Sequence, residues 1–135
     1  MLPEHLREAQ DLLYLADLDL QVAERSLAGG RPLIEPTLFH SQQAMEKALK
    51  AFLAHCNRPY RRTHDLIELL DRCIAEDGAF SSLVTAAAAL NPHGVGPRYL
   101  RPVKPTLAED AARLLDLARE TFAFVAGRLP PEVAS

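Results

Sequence analysis

The stretch LFHSQQAMEKALKAFLAHC, residues 38–56, decides the fold because its apolar residues recur at the spacing of an amphipathic helix. Steps of three and four residues are typical of a helix packed along its length in a bundle. The apolar row is Leu38, Met45, Leu49, Phe52 and Cys56, interrupted only by Gln42. The remaining side is dense in polar residues, namely His40, Gln43, Glu46, Lys47 and Lys50. The pattern predicts a helix that begins near Pro36 and carries an unusual polar row.

The same rhythm predicts helices before and after this stretch. Residues 2–27 repeat it and end at Gly29-Gly30. A third helix is predicted from His64 to about Asp77, with Thr63 as its N-cap and Asp65 in its first turn. Residues 80–90 form a shorter apolar segment, ended by Asn91-Pro92.

A last long helix completes the pattern. The fifteen residues NPHGVGPRYLRPVKP, 91–105, contain four prolines and two glycines and exclude a helix. Thr106 and Glu109 have the spacing of a capping box, and the apolar residues that follow predict a helix to about Arg128. The sequence therefore predicts an all-α fold, an up-and-down bundle of four main helices plus a short fifth helix.

Size and composition indicate one domain. A chain of 135 residues closes a single core, which we place at about residues 4–128, with 129–135 as a tail. The N-terminus is charged where a signal peptide would be apolar, and no apolar run is long enough to span a membrane. We expect a cytoplasmic protein without membrane contact. The two cysteines, Cys56 and Cys73, cannot build a zinc or redox motif and are expected in the core.

Basic residues cluster in residues 55–66, HCNRPYRRTHDL. A helix N-terminus favours anions, so Arg58 or Arg62 is a candidate phosphate clamp and His64 a candidate general base. The alternative is a solvated basic turn whose histidine packs over the helix end. The motifs HExxH, GxSxG, GxGxxG and the P-loop are absent, and we expect neither a metal nor a cofactor.

The polar row of residues 40–50 adjoins the predicted seam between helices. If it is partly buried, it needs partners from elsewhere in the chain, and Arg98 and Tyr99 of the proline-rich segment are the candidate donors. If the row is exposed instead, the ion pair between Glu46 and Lys50 would stabilise the helix by only a few tenths of a kcal/mol.

Three motifs together resemble the HEPN family, a helical domain named for its occurrence in higher eukaryotes and prokaryotes and for proposed nucleotide binding. They are FHSQQAMEKALKAFL, THDLIELL and the later Arg98-Tyr99, and the resemblance covers roughly residues 5–125. It implies a homodimeric bundle, often encoded beside a small nucleotidyltransferase as a toxin and antitoxin pair. Some members are metal-independent ribonucleases with four to six residues between an arginine and a following histidine. Arg58 and His64 match that spacing, although the ribonucleases carry theirs near the last long helix.

Two functions follow as hypotheses. The first is a ribonuclease that cleaves RNA with His64 as base and Arg58 or Arg62 as phosphate clamp. The second is a non-enzymatic module that binds a nucleotide or a partner nucleotidyltransferase in a polar pocket. That pocket would consist of His40, Gln43, Glu46, Lys47, Arg98 and Tyr99. The displaced Arg/His pair favours the second, while a polar row that only stabilises the dimer is a third alternative.

Overall fold

The computed structural model describes residues 1–94 and 108–134, and over these ranges the chain consists of helices and turns without a strand. The elements are α1 Glu4–Ala28, α2 Ile34–His55, α3 Leu66–Glu76, a 3-10 helix Gly78–Leu83, α4 Val84–Leu90, a 3-10 turn Asn91–His93, α5 Ala108–Ala126 and α6 Pro131–Ala134. The all-α bundle predicted from the apolar spacing is confirmed. Within the described ranges no helix has the length and apolar character needed to cross a membrane.

The three long helices form the centre of the bundle. Helices α1 and α2 share the most extensive interface, and α5 packs against both. The apolar rows predicted for α1 and α2 point into this interface, where Leu13, Leu38, Met45 and Leu49 are all buried. Helix α3 packs on α2, and α4 bridges α3 to α5. Helix α2 therefore contacts every other main helix, and its polar row lies close to the core.

An aromatic cluster joins the 3-10 helix to the centre of the bundle. Phe80 is fully buried, with its ring centroid 4.3 Å from that of Phe52 and 4.9 Å from that of Phe124. The guanidinium of Arg128 covers Phe124 at 3.7 Å and its Nε donates to Asp77 at 3.0 Å. Such contacts combine apolar burial with a cation–π interaction. They fix the link that follows α3 against α2 and α5.

The start of α3 differs from the sequence prediction. The helix begins at Leu66 rather than His64, and its N-cap is Asp65 rather than Thr63. The Asp65 carboxylate accepts from the amides of Ile67 and Glu68, which lie at the distance that an N-cap side chain reaches. The hydroxyl of Thr63 instead accepts from the Asp65 amide at 3.0 Å. His64 consequently lies outside the helix, on the chain that leads into it.

The structure also differs from the single short helix predicted for residues 80–90. Its first part is the 3-10 helix Gly78–Leu83, and only Val84–Leu90 is α-helical. The backbone continues through Asn91-Pro92 as one 3-10 turn, since a proline is tolerated in the first turn of a helix. Thr106 of the predicted capping box lies outside the described residues, whereas Glu109 is in the first turn of α5.

Candidate functional site

A buried carboxylate lies at the centre of the polar row on α2. Glu46 is 3% exposed, and its Oε1 is 2.9 Å from His64 Nδ1, while its Oε2 accepts from Lys50 Nζ at 3.1 Å. The amide of Gln42 lies 3.4 Å from the same Oε1. A buried carboxylate is stable only when its oxygens are paired in this way. We call Gln42, Gln43, Glu46, Lys50 and His64 the Glu46 cluster.

Gln42, the residue that interrupts the apolar row, holds this cluster to two other parts of the chain. Its Nε2 donates to the His64 carbonyl at 3.1 Å, and its Oε1 accepts from Gln43 Nε2 at 2.7 Å. Gly94 packs so closely on Gln42 that an added Cβ would lie 2.6 Å from Nε2. The position of Gln42 on the seam explains why it is buried, and a side chain at position 94 would force the Gln42 amide to shift.

The amides at the start of α3 are already occupied. Asn91 Oδ1 accepts from the Leu66 amide at 2.9 Å, and the Asp65 carboxylate accepts from the next two amides. Asn91 Nδ2 also donates to Asp65 at 3.2 Å. These amides were predicted to attract an anion, but in the folded chain side-chain oxygens of the protein already accept their hydrogen bonds. An anion near His64 must therefore be held by side chains.

His64 is the exposed member of the Glu46 cluster. Beside an ionised Glu46, Nδ1 carries a proton and donates to the carboxylate, so in the neutral tautomer Nε2 is the nitrogen with the lone pair. The His64 side chain is 65% exposed, so solvent and ligands reach it. A histidine oriented by a carboxylate can accept a proton or a hydrogen bond through Nε2. This geometry suits a base or a ligand contact equally well.

The arginines that the sequence singled out do not contact this histidine. Arg58 Nε is 2.7 Å from Glu76 Oε1, and Arg61 pairs with Glu68 at 2.6 Å. Arg62 has no ion-pair partner among residues 1–94 and 108–134. The structure therefore assigns Arg58 and His64 to different carboxylates and leaves Arg62 as the basic side chain without an acidic partner in this segment.

Arg62 lines a surface cleft between α1 and the turn that follows α2. The cleft has a volume of about 510 Å³ and is lined by Glu8, Ala54, Asn57, Arg58, Pro59, Tyr60 and Arg62. The Tyr60 hydroxyl donates to Glu8 at 2.7 Å, and burial together with this bond raises the pKa of the phenol. Asn57 adopts φ 55°, the left-handed conformation common just after a helix end. The cleft offers two guanidinium groups, an amide and a neutral phenol.

His40 and Lys47 belong to a second cluster, centred on Asp19 of α1. His40 Nδ1 is 2.8 Å from Asp19 Oδ1, and Lys47 Nζ donates to Oδ2 at 2.6 Å. Asp19 is 7% exposed and was not among the predicted site residues. Its burial could have been predicted from its position, because Asp19 lies three residues after Ala16 and four before Ala23, both on the buried face of α1.

The polar pocket predicted from the sequence is therefore divided. His40 and Lys47 face Asp19, Gln43 and Glu46 belong to the Glu46 cluster, and Arg98 and Tyr99 lie outside the described residues. Within the described ranges, no group of three or more His, Cys, Asp or Glu side chains is placed to hold a metal ion.

Fold and site together define a class of helical bundle in which a buried carboxylate on the second helix orients a histidine ahead of the third. The sequence model of the HEPN domain matches residues 9–128. The chain belongs to the HEPN domain family. A search of curated proteins finds no match.

Two solved structures support this assignment. The crystal structure of TT1696 from Thermus thermophilus is 30% identical, with a TM-score of 0.78, over 90% of this chain and 98% of that one. The crystal structure of ST0689, an archaeal HEPN homologue, is 25% identical, with a TM-score of 0.70, over 89% of this chain and 96% of that one. Almost the whole of both proteins therefore shares this fold.

Proposed function

We propose that this chain is a non-enzymatic HEPN module that binds a nucleotide or a small nucleotidyltransferase, as one half of a toxin–antitoxin-like pair. The observation that carries the proposal is the pairing of its basic residues. Arg58 pairs with Glu76, and His64 pairs with Glu46. Within the described part of one chain, the structure therefore shows no guanidinium in contact with the His64 ring. In the arginine/histidine ribonuclease hypothesis, both groups act at one phosphate.

The cleft beside α1 supports a binding role. Arg62 has no acidic partner among the described residues and, with Asn57 and the half-buried Tyr60, lines a concave surface where a phosphate group fits. A guanidinium can hold two phosphate oxygens at once, and the Asn57 amide can donate a single hydrogen bond. The Tyr60 hydroxyl already donates to the Glu8 carboxylate, so these two side chains form the wall of the cleft and do not donate to the anion.

A nucleotide titration tests the ligand part of this proposal. We expect ATP to raise the melting temperature of the purified chain, and Arg62→Ala to abolish the rise. Arg31→Ala is the matched control, because Arg31 is also exposed but lies in the α1–α2 turn and does not line the cleft. At about 100 times Kd the stabilisation of the wild type is about 2.7 kcal/mol.

Co-expression tests the partner part. A small nucleotidyltransferase encoded beside this chain should co-purify with it and should suppress any growth defect that the chain causes alone. The proposal is contradicted if ATP leaves the melting temperature unchanged and the neighbouring nucleotidyltransferase fails to co-purify.

The second candidate function is a metal-independent ribonuclease, and the orientation of His64 favours it. Glu46 fixes the ring so that Nε2 faces solvent, as a general base requires. The clamp would be Arg58 or Arg62, supplied by a second copy if the proposed homodimer brings one near. RNA should then be cleaved in EDTA by the wild type and by His5→Ala, but not by His64→Ala. Intact RNA in the wild-type reaction rules this function out.

A further inference from the structure

A second cavity lies between α1, α5 and α6, and it shares no lining residue with the cleft beside the turn after α2. Its volume of about 530 Å³ is in the range of pockets that hold small molecules. Leu13, Phe122 and Val133 give it an apolar wall. The Gln10 side-chain amide donates to the Glu132 carbonyl at 3.0 Å and so ties α6 to α1. The cavity is therefore enclosed by three helices that the fold holds together.

Two carboxylates of α1 line this cavity, with an aromatic ring between them. Asp11, Tyr14 and Asp17 follow one another at intervals of three residues, so the ring lies midway between the two acids along the helix. At about 1.5 Å of rise per residue, Asp11 and Asp17 are separated by about 9 Å along the helix axis. The lining contributed by α1 thus runs from a negative charge across an apolar surface to a second negative charge.

These carboxylates have no cationic partner within residues 1–94 and 108–134. Asp17 accepts a hydrogen bond from the Gln21 side-chain amide at 2.8 Å, and the Asp11 carboxylate has no hydrogen-bond or ion-pair partner there. Arg7, one turn before Asp11, contacts the Met1 sulfur instead. No basic side chain is among the residues that line the cavity. Both negative charges are therefore available to a cation from outside this part of the chain.

We propose that this cavity binds an aliphatic diamine. One ammonium group pairs with Asp11, the other pairs with Asp17, and the methylene chain lies against Tyr14 and the apolar wall. At neutral pH both amines of such a molecule are charged, as the side chain of lysine is. Carboxylates hold ammonium groups by charge-assisted hydrogen bonds, and the face of an aromatic ring attracts a cation.

The same features exclude other classes of ligand. An anion would be repelled by the two carboxylates, which no lining base offsets. A metal ion needs several ligands that converge on one point, and in the described ranges no group of three or more His, Cys, Asp or Glu side chains does so. A purely apolar ligand would leave both charges unpaired. Two separated charges with methylene groups between them match the lining at both ends and in the middle.

Calorimetric titration of the purified chain with cadaverine tests the proposal. We expect a dissociation constant below about 1 mM, and a value at least about tenfold higher for pentylamine, which has the same carbon chain but only one charge. Both titrations are run at the same ionic strength, so that general screening is equal. The difference between the two amines then measures the second ammonium group.

Substitutions in the lining locate the site. Asp11→Asn and Asp17→Asn should each raise the dissociation constant of cadaverine about tenfold, because one ammonium group loses its charged acceptor. Tyr14→Leu keeps an apolar side chain but removes the ring and should raise it about threefold. Asp71→Asn is the matched control, since Asp71 is exposed on α3 and does not line the cavity. Circular dichroism checks that each variant is folded, and the exposed position of Asp11 tolerates the change.

The inference is overturned by any of three results. These are the absence of cadaverine binding at millimolar concentration, equal affinities for cadaverine and pentylamine, or aspartate variants at positions 11 and 17 that bind cadaverine as the Asp71→Asn control does. The stabilisation by ATP that depends on Arg62 should be unchanged in Asp11→Asn, because the two cavities share no residue. Failure of the diamine site is therefore distinguishable from failure of the proposed function.

Discussion

The Glu46 cluster makes a quantitative prediction about stability. Replacing Glu46 by alanine removes the acceptor of His64 and Lys50 and leaves the largely buried ammonium of Lys50 without its carboxylate. Breaking a buried charge pair by removing one partner costs about 3–5 kcal/mol. Because His64 is exposed and can turn to water, we expect the lower end, about 3 kcal/mol. For a domain of this size the melting temperature should fall by about 10 °C.

Urea denaturation followed by circular dichroism measures this loss. Two further variants serve as references for the loss of unfolding free energy. Glu46→Gln keeps the volume and one acceptor oxygen and should cost about 1–2 kcal/mol. Glu68→Ala removes a carboxylate from the exposed pair with Arg61 and should cost less than about 1 kcal/mol.

The two alanine variants together test whether Glu46 holds α2 to the start of α3. If Glu46→Ala costs no more than Glu68→Ala at an unchanged urea slope, the carboxylate does not hold α2 to the start of α3. A changed slope would instead indicate that the variant alters the unfolded or native ensemble, so that the midpoints are no longer comparable.

Three other perturbations test separate contacts. Gly94→Ala should destabilise the chain by about 1–3 kcal/mol in urea, since its Cβ would overlap the fixed amide of Gln42, and Gly30→Ala, with open space around it, is the control. Asp19→Ala should cost about 2–3 kcal/mol by the same assay, because it leaves the half-buried Lys47 ammonium without its carboxylate. Equality with wild type contradicts the role of that carboxylate. A hydrogen bond from the Ala79 amide, and then Arg128, hold the pKa of Asp77 below its ordinary 3.8. The ionised carboxylate therefore stabilises the fold above pH 3.8, and this stabilisation is lost as the pH falls further. The melting temperatures of wild type and Asp77→Asn should differ at pH 7 and converge at pH 2.

The sequence predicted the helices because their apolar rows repeat regularly, and α1, α2 and α5 follow that rhythm closely. The start of α3 was harder, since Thr63 and Asp65 lie two residues apart and both residue types cap helices, with Asp the stronger of the two. Tertiary contacts act in the same direction as this preference. Glu46 holds the His64 ring and Gln42 holds its carbonyl, so that residue cannot enter the helix.

The candidate site was less predictable for the same reason. The polar row on α2 was visible, but its partners are distant in sequence: Asp19 lies 28 residues before Lys47, and His64 lies 18 residues after Glu46. No local pattern pairs them. The interruption of the apolar row at Gln42 was the strongest clue, because a polar residue on a buried seam must find a partner from another element.

Glu46 has two roles, and they bear on any functional test of His64. The carboxylate stabilises the start of α3 and also fixes which ring nitrogen faces solvent. A loss of activity or binding in Glu46→Ala is therefore ambiguous between unfolding and a misoriented ring. His64→Ala keeps the pair between Glu46 and Lys50 but removes one hydrogen bond from the buried carboxylate, so it should cost about 1 kcal/mol, less than Glu46→Ala. A functional loss in that variant while it remains fully folded would then assign the function to the His64 ring.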